Sequence, residues 1–381
     1  MIPKTRSANR IEQRSSHMIH IQKIALPETG RVLVISDIHG DLHLFQQLLK
    51  KVSYTPADTL ILNGDLCERG PSSLGVIRYA RKLMDSSSRV FITEGNCDRL
   101  IHHVFDNDPT VFDHLAQHPH SVMNEWIEEQ GKTIADFDSV PALAAFYRQT
   151  CGAEIDWLFS LPTALEADHY LFIHAGIDDR ADWRETSHRS AVAIPHFYTR
   201  THQCEKNVVV GHWPVVNYRS EAITCHNPII ALDKRMICID GGNQVRFDGQ
   251  LNALIIERNP QGDRIRFTSA DHFHKLATIT QSYTPPADFI GTLNYPHYAV
   301  RPLKRGTYFS LCENIALGLT QWIKNEYLEK KDDGFTAADD LSCSGLPVRA
   351  GDQVAVVDDG CAGYTLIKKE GSVGWVPKQF L

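Results

Sequence analysis

Six residues of this 381-residue chain have side-chain types and spacings suited to holding metal ions. Asp37 and His39 stand two apart in Asp37-Ile-His-Gly-Asp41, directly after an apolar run. In extended chain, residues two apart can point to one side. Asp65 follows in Asn63-Gly-Asp-Leu-Cys-Glu-Arg-Gly70, and Asn96 in Glu94-Gly-Asn-Cys-Asp98. His174 and His212 stand in Phe172-Ile-His-Ala-Gly-Ile177 and Val210-Gly-His-Trp-Pro214. Glycines adjoin these motifs, which allows tight turns and close approach of backbone to an ion. Three imidazoles, two carboxylates and an amide oxygen form a mixed nitrogen and oxygen donor set. Such a set suits Mn²⁺, Fe or Zn²⁺ better than Ca²⁺ and needs no thiolate.

Each candidate closes a short apolar run. The runs are Val32–Ile35 before Asp37, Thr59–Leu62 before Asp65, Val90–Thr93 before Asn96, Tyr170–Ile173 before His174 and Val208–Val210 before His212. Met236–Ile239, ahead of Asp240, and Leu251–Ile256 complete the set. Their lengths fit buried strands of an α/β sheet. Between them, Asp41 precedes the helical spacing Leu42, Leu44, Phe45, Leu48, Leu49, and Pro71 precedes Leu74, Val76, Ile77, Tyr79 and Ala80. These patterns predict a capped amphipathic helix and a helix with proline in its first turn. The stretch 102–158 reads as a helical insertion, with helices around Val122–Glu129 and Pro141–Arg148.

Composition narrows the remaining classes. Hydrophobic residues make up 43% and charged residues 22%, the balance of a globular protein. The net charge of −7 argues against a general nucleic-acid partner. No apolar run approaches the roughly 20 residues of a membrane helix, so no membrane partner is expected. Nine scattered cysteines, an odd number, favour a reducing, cytoplasmic location. Residues 1–20 carry Lys4, Arg6, Arg10 and Arg14 without the apolar core of a secretory signal and read as a flexible arm.

The pattern changes after about His274, where Pro285, Pro286, Pro296 and Pro302 interrupt strand–helix alternation. Gly306-Thr-Tyr-Phe-Ser-Leu-Cys leading to Trp322-Ile-Lys-Asn-Glu-Tyr-Leu328 parallels Gly351-Asp-Gln-Val-Ala-Val-Val leading to Trp375-Val-Pro-Lys-Gln-Phe-Leu381. The expected organisation is an arm over 1–20, an α/β domain over 21–275, a linker with a first small β-barrel over 276–332, and a second barrel over 333–381. The last segment, through Phe335-Thr-Ala-Ala, Val348-Arg-Ala-Gly-Asp352, Gly363-Tyr-Thr-Leu and Gly374-Trp-Val-Pro, resembles a Src-homology-3 barrel. That resemblance implies a peptide partner or an intramolecular packing partner.

Taken in order, Asp-Ile-His-Gly, Gly-Asp-x-x-Glu-Arg-Gly, Gly-Asn-x-Asp, His-Ala-Gly and Gly-His-x-Pro resemble the calcineurin-like metallophosphoesterase superfamily, in its phosphoprotein-phosphatase branch, over about residues 30–245. The resemblance implies a four-layer α/β/β/α sandwich and two divalent ions, with Mn²⁺ preferred over Fe or Zn²⁺. Carried onto this chain, Asp37 and His39 bind the first metal, Asp65 bridges both, and Asn96, His174 and His212 complete the second. Arg69 holds a substrate phosphate. One position departs from the pattern. Where the branch has a histidine–aspartate dyad that protonates the leaving group, this chain has Cys97 and Glu68. Asp98, next door, either substitutes for that acid or braces the loop. The leading expectation is a phosphatase acting on monoesters, either phosphoproteins or small aryl phosphates, by attack of a metal-bound hydroxide. The alternative is a phosphodiesterase or dinucleoside-polyphosphate hydrolase. A scaffold protein with a degenerate domain is disfavoured by the complete ligand set.

Overall fold

A computed structural model of the protein describes residues 19–332 and 334–381; the arm expected over 1–20 lies, apart from Ile19 and His20, outside them. The described chain forms two compact units. The first comprises residues up to Trp213 together with 228–240 and 251–268; the second comprises 214–227, 241–250 and 269–381.

The first unit is mixed α/β and contains two sheets. One is ordered Arg264–Ala270, Leu251–Arg258, Gly30–Ile35, Thr59–Asn63, Val90–Thr93. Its last three strands run parallel, and Leu251–Arg258 pairs antiparallel to Gly30–Ile35. The other is ordered Ile21–Lys23, Ala164–Glu166, Tyr170–Ile173, Asn207–Val210, Met236–Cys238, Ile229–Ala231. Val32, Val34, Ile61 and Leu254 of the first sheet share one core with Leu165, Phe172, Val209 and Ile237 of the second. All seven apolar runs picked out by composition are strands. Both sheet faces are covered, so each run is nearly continuous in hydrophobic residues rather than alternating.

The helix Leu42–Lys51 is capped as its sequence requires, with the Asp41 carboxylate accepting from the Leu44 amide at 3.1 Å. The next helix, Ser73–Ser86, begins two residues beyond Pro71. The preceding Glu68 and Arg69 adopt left-handed backbone (φ 73° and 74°), which a helical first turn at Pro71 could not follow directly. The insertion holds the helix Val122–Glu128 and the helical span Val140–Ser160, which is broken by a kink at Cys151 (φ −132°, ψ 20°), close to the expected end at Arg148. Among the described residues, no helix is long and apolar enough to cross a membrane.

The second unit is built mainly of β-strands. One five-stranded sheet is ordered Thr320–Lys324, Phe309–Asn314, Ala299–Arg305, Gly334–Ala337, Leu328–Lys331. A second is ordered Leu276–Thr278, Gln353–Asp358, Tyr364–Lys369, Ser372–Pro377, Thr224–Cys225. The two tryptophan segments adopt the same local structure. Trp322 and Trp375 each stand in a strand that leads straight into a 3₁₀ turn, Asn325–Tyr327 and Lys378–Phe380 respectively.

The boundary expected near 332 falls later. Gly334–Ala337 pairs with Ala299–Arg305 and Leu328–Lys331, so Phe335 belongs to the first of these sheets. Nor do the two sheets have separate interiors. Val300, Phe309 and Ile323 share one core with Leu366, Val373 and Trp375. A buried polar network adds to this core. Arg246 donates to both oxygens of Asp248 (2.8 and 3.1 Å) and lies 3.1 Å from Asp340, while Lys368 donates to the Asp248 and Gly249 carbonyls (2.9 and 3.0 Å). Segment 241–250 is thereby tied to residues 340 and 368 of the same unit.

Candidate metal centre

Five parallel-running strand ends deliver the candidate ligands. Gly30–Ile35 leads to Asp37 and His39, Thr59–Asn63 to Asp65, Val90–Thr93 to Asn96, Tyr170–Ile173 to His174, and Asn207–Val210 to His212. Carboxyl ends of parallel strands are where open α/β sheets place ligands. Twelve described non-glycine residues have positive φ, and six of them are candidate site residues: Asp37, His39, Asp65, Glu68, Arg69 and His212. Such conformations cost on the order of 1–3 kcal/mol each and persist where the surroundings over-determine them.

The side chains converge. His39 Nε2 lies 3.9 Å from Asp37 Oδ1 and 3.8 Å from Asp65 Oδ2; His174 Nε2 lies 3.4 Å from Asp65 Oδ1. Asp65, His174 and His212 form one group able to hold a metal ion, and His39, Asp65 and Cys97 form another. Asp65 is common to both, which is the position a bridging carboxylate takes. His174 is oriented by its far nitrogen, since Nδ1 lies 3.0 Å from the Asn63 carbonyl and donates to it, which turns Nε2 toward Asp65. The Asn63 side chain ties three strands together, donating to Ile173 O and Val209 O and accepting from Thr93.

Electrostatics give an independent test of fit for divalent cations. Asp37, Asp65 and Asp240 are all buried. Burial, followed by the Asp240 charge, pushes Asp37 well above the usual carboxylate range. Burial alone would raise Asp65 as well, but His174, His39 and His212 hold it far below that range. Burial lowers His39 and His212 to about 4, favouring the neutral imidazoles that bind metals. At His174 burial is outweighed by Asp65, and the ring rises to about 10. Clustered buried carboxylates are costly unless they are paired or coordinate metals. One end of the Asn96 amide also lies 2.8 Å from His212 Nδ1 and 3.3 Å from His174 Nε2. With the amide oxygen turned to that point, the three lone pairs converge as ligands to a cation. The donor set therefore fits divalent ions.

The other candidate residues surround this centre. Cys97 is buried; its amide donates to Asp65 Oδ1 at 2.9 Å, and burial followed by Asp65 raises its thiol well above the ordinary value. Both Asp98 oxygens accept backbone bonds, Oδ1 from Leu66 (2.8 Å) and Cys67 (3.3 Å) and Oδ2 from Gly95 (2.8 Å). Burial, then Asp65, pushes Asp98 up to about 6. Glu68 is held by the insertion, its Oε1 accepting from Ser121 Oγ (2.9 Å) and the Val122 amide (3.0 Å). Arg69 is exposed.

Sequence reasoning passed over two contributors. Asp240 shares the site's charge balance, and its only signal was its place after a buried run. Glu94 gathers His188 (2.7 Å), Thr163 (2.6 Å) and Arg99 (2.5 Å) beside the Asn96 loop, a convergence with no local signature.

A strained loop array thus brings imidazoles, carboxylates and an amide to one point, a donor set suited to divalent ions. The chain belongs to the calcineurin-like phosphoesterase family, whose sequence model matches residues 30–242, more than half its length. It is thus a metal-dependent phosphoesterase by class. The "Bis(5'-nucleosyl)-tetraphosphatase, symmetrical" of Baumannia cicadellinicola is 32% identical over 189 residues, 45% of this chain and 64% of that protein. The protein of the same description from Edwardsiella ictaluri is 48% identical over 67 residues, 17% of this chain and 23% of its own length. The chain thus spans less than two thirds of these curated relatives. A crystal structure of a metallophosphoesterase from Sphaerobacter thermophilus aligns with a TM-score of 0.37 at 15% identity, covering 64% of this chain and 89% of that one.

Proposed function

We propose that the protein hydrolyses dinucleoside polyphosphates at a phosphoanhydride bond. This replaces the phosphomonoester reading favoured by the motifs alone, because the relatives carry a tetraphosphatase description. The observation that carries the proposal is Cys97, a buried neutral thiol whose Sγ lies within 4.8 Å of ligand atoms of His39 and Asp65. S–H is a weak donor. An alkoxide leaving group, with a conjugate acid near the 15.7 of water, needs a general acid typically worth about 10²–10⁴-fold. A nucleoside diphosphate leaves as a phosphate oxygen whose second pKa is about 6, and departs without one. Asp98, with both oxygens accepting backbone bonds, braces the loop rather than serving as that acid.

In this reading Asp37, His39 and the bridging Asp65 hold one divalent ion, and Asp65, Asn96, His174 and His212 hold the other, with Mn²⁺, Fe or Zn²⁺ matching the donors. The bound ions polarise the phosphoryl oxygens and lower the pKa of water. The protein contributes aim and charge. His174 is held by Asn63, Asp65 by the Cys97 amide, and the Arg69 fork takes a phosphate oxygen. The tryptophan-bearing strand followed by a 3₁₀ turn supports reading the last segment as Src-homology-3-like, with its packing partner in the sheet that shares its core.

The test compares initial rates on a dinucleoside tetraphosphate, a phosphoserine peptide and p-nitrophenyl phosphate with Mn²⁺ present and after chelation. The expected order places the tetraphosphate first and the phosphoserine peptide last, with all rates lost on chelation. A phosphoserine peptide turned over as fast as the tetraphosphate overturns the proposal.

A further inference from the structure

The loop that carries Arg69 is gripped by the helical insertion through two carboxylates, each capping the other's helix. Glu68, just ahead of the helix Ser73–Ser86, accepts from Ser121 Oγ and the Val122 amide at the start of the helix Val122–Glu128. Glu125, inside that second helix, returns the contact. Its two oxygens accept from the Ser73 and Leu74 amides at 2.7 and 2.8 Å. Ser73 links the two bonds, since its hydroxyl accepts from the Glu68 amide at 2.8 Å. Glu68, Ser73 and Ser121 are all buried. A carboxylate at a helix start satisfies orphan amides and favours the helix dipole.

Between the jaws lie Glu68 and Arg69, consecutive non-glycine residues at φ 73° and 74°. Left-handed backbone at such residues needs support from outside the turn. The local bonds on the other side lead to the metal site, because the Gly70 amide donates to the His39 carbonyl (2.9 Å) and the Gly40 amide to the Leu66 carbonyl (2.8 Å). The turn is therefore set between the metal loop and the insertion.

We propose that Glu125, with Glu68, is a positioning residue for Arg69, so that the insertion determines how firmly the enzyme holds the substrate phosphate. This rests on the reading of Arg69 as a phosphate ligand. Glu125 touches no substrate; it acts by fixing the amides that fix the turn. Loss of the clasp releases Arg69 and weakens phosphate binding, while Asp65, earlier on the same loop, keeps its bond from the Cys97 amide and the remaining ligands stand on other strand ends.

The test is a double-mutant cycle on the full, Mn²⁺-loaded protein, with dinucleoside tetraphosphate as substrate and inorganic phosphate as competing ligand. Arg69→Ala is expected to raise KM and the phosphate inhibition constant about tenfold to a hundredfold, the scale of one charged hydrogen bond. Glu125→Ala is expected to raise both in the same direction with kcat and metal content nearly unchanged, and to cost nothing further in the Arg69→Ala background. Glu125→Gln, which keeps one acceptor oxygen, is expected to fall between and serves if the alanine variant does not fold. Additive losses, a fall in kcat with KM unchanged, or wild-type phosphate inhibition in both Glu125 variants overturns the clasp. Wild-type phosphate inhibition in Arg69→Ala instead overturns the phosphate-holding role on which the clasp depends.

Discussion

Gly95→Ala tests the geometry of the centre without altering any ligand. A Cβ at residue 95 would lie 2.2 Å from both Asp65 N and Asp65 Oδ1, and 2.9 Å from its carboxyl carbon. Ordinary contact begins at 3.4 Å, a shortfall of about 1.2 Å. Asp65 N is backbone in a loop already at φ 52°, and its carboxylate is fixed by the Cys97 amide, so the displacement falls on the bridging group. A misplacement of about 1 Å at a reacting centre costs on the order of 10²-fold in rate. At about 1.36 kcal/mol per tenfold, that is roughly 2.7 kcal/mol of transition-state stabilisation. The assay is kcat/KM with saturating Mn²⁺, alongside metal stoichiometry and circular dichroism. Gly152→Ala is the control, because a Cβ there meets nothing within 4 Å. It follows the kink at Cys151 within Val140–Ser160, away from every candidate ligand, so turnover is expected to stay at the wild-type level. A folded Gly95→Ala protein with wild-type turnover would refute the placement of Asp65 at the reacting centre.

Further outcomes follow from the same physical picture. Cys97→His should raise turnover of phosphoserine peptide selectively, and Cys97→Ala should leave tetraphosphate hydrolysis largely intact; loss of both activities with metals still bound would make the thiol essential. Deleting residues 286–381 removes Asp340 and Lys368 from the buried Arg246–Asp248 pair and the strand partner of Thr224–Cys225, so the shortened chain should be insoluble. A soluble, folded 1–285 would contradict this. Burial lowers Lys368 to about 8 from its ordinary 10.5, so between these values the unfolded chain binds more protons and stability rises with pH. Urea unfolding should show the wild type gaining on Lys368→Met across that window, by up to about 1.4 kcal/mol per pH unit. A pH-independent difference would count against it.

The sequence made the site legible because its signal is local. A buried strand is an uninterrupted apolar run, and a polar residue at its end, such as Asp65 or His174, has nothing to do with the strand's own packing. What local periodicity does not encode is long-range polar pairing. Ile21–Lys23 and Thr224–Cys225 are too short to show a period, and their strand character comes from the partners they meet. Nothing local in Arg246 and Asp248 shows that Asp340 and Lys368 close around them, so a boundary set by the composition shift near His274 leaves segment 241–250 with the α/β domain rather than the β-rich unit. Phe335 was placed in the later module because its Src-homology-3-like spacing is satisfied equally by a strand of the earlier sheet. Glu125 falls within the expected helix Val122–Glu129, and its spacing carries no sign of a distant partner. Only the fold brings it to the Ser73 amide.

The central claim is that a phosphoanhydride is cleaved at this centre by water with a nucleoside diphosphate as leaving group. Hydrolysis of a dinucleoside tetraphosphate in heavy-oxygen water, followed by mass analysis of the products, tests it directly. The account predicts two nucleoside diphosphates, one of them carrying a single heavy oxygen on its terminal phosphate. Release of a nucleoside monophosphate with a triphosphate, or free phosphate from a phosphoserine peptide in place of any cleavage of the tetraphosphate, would contradict it.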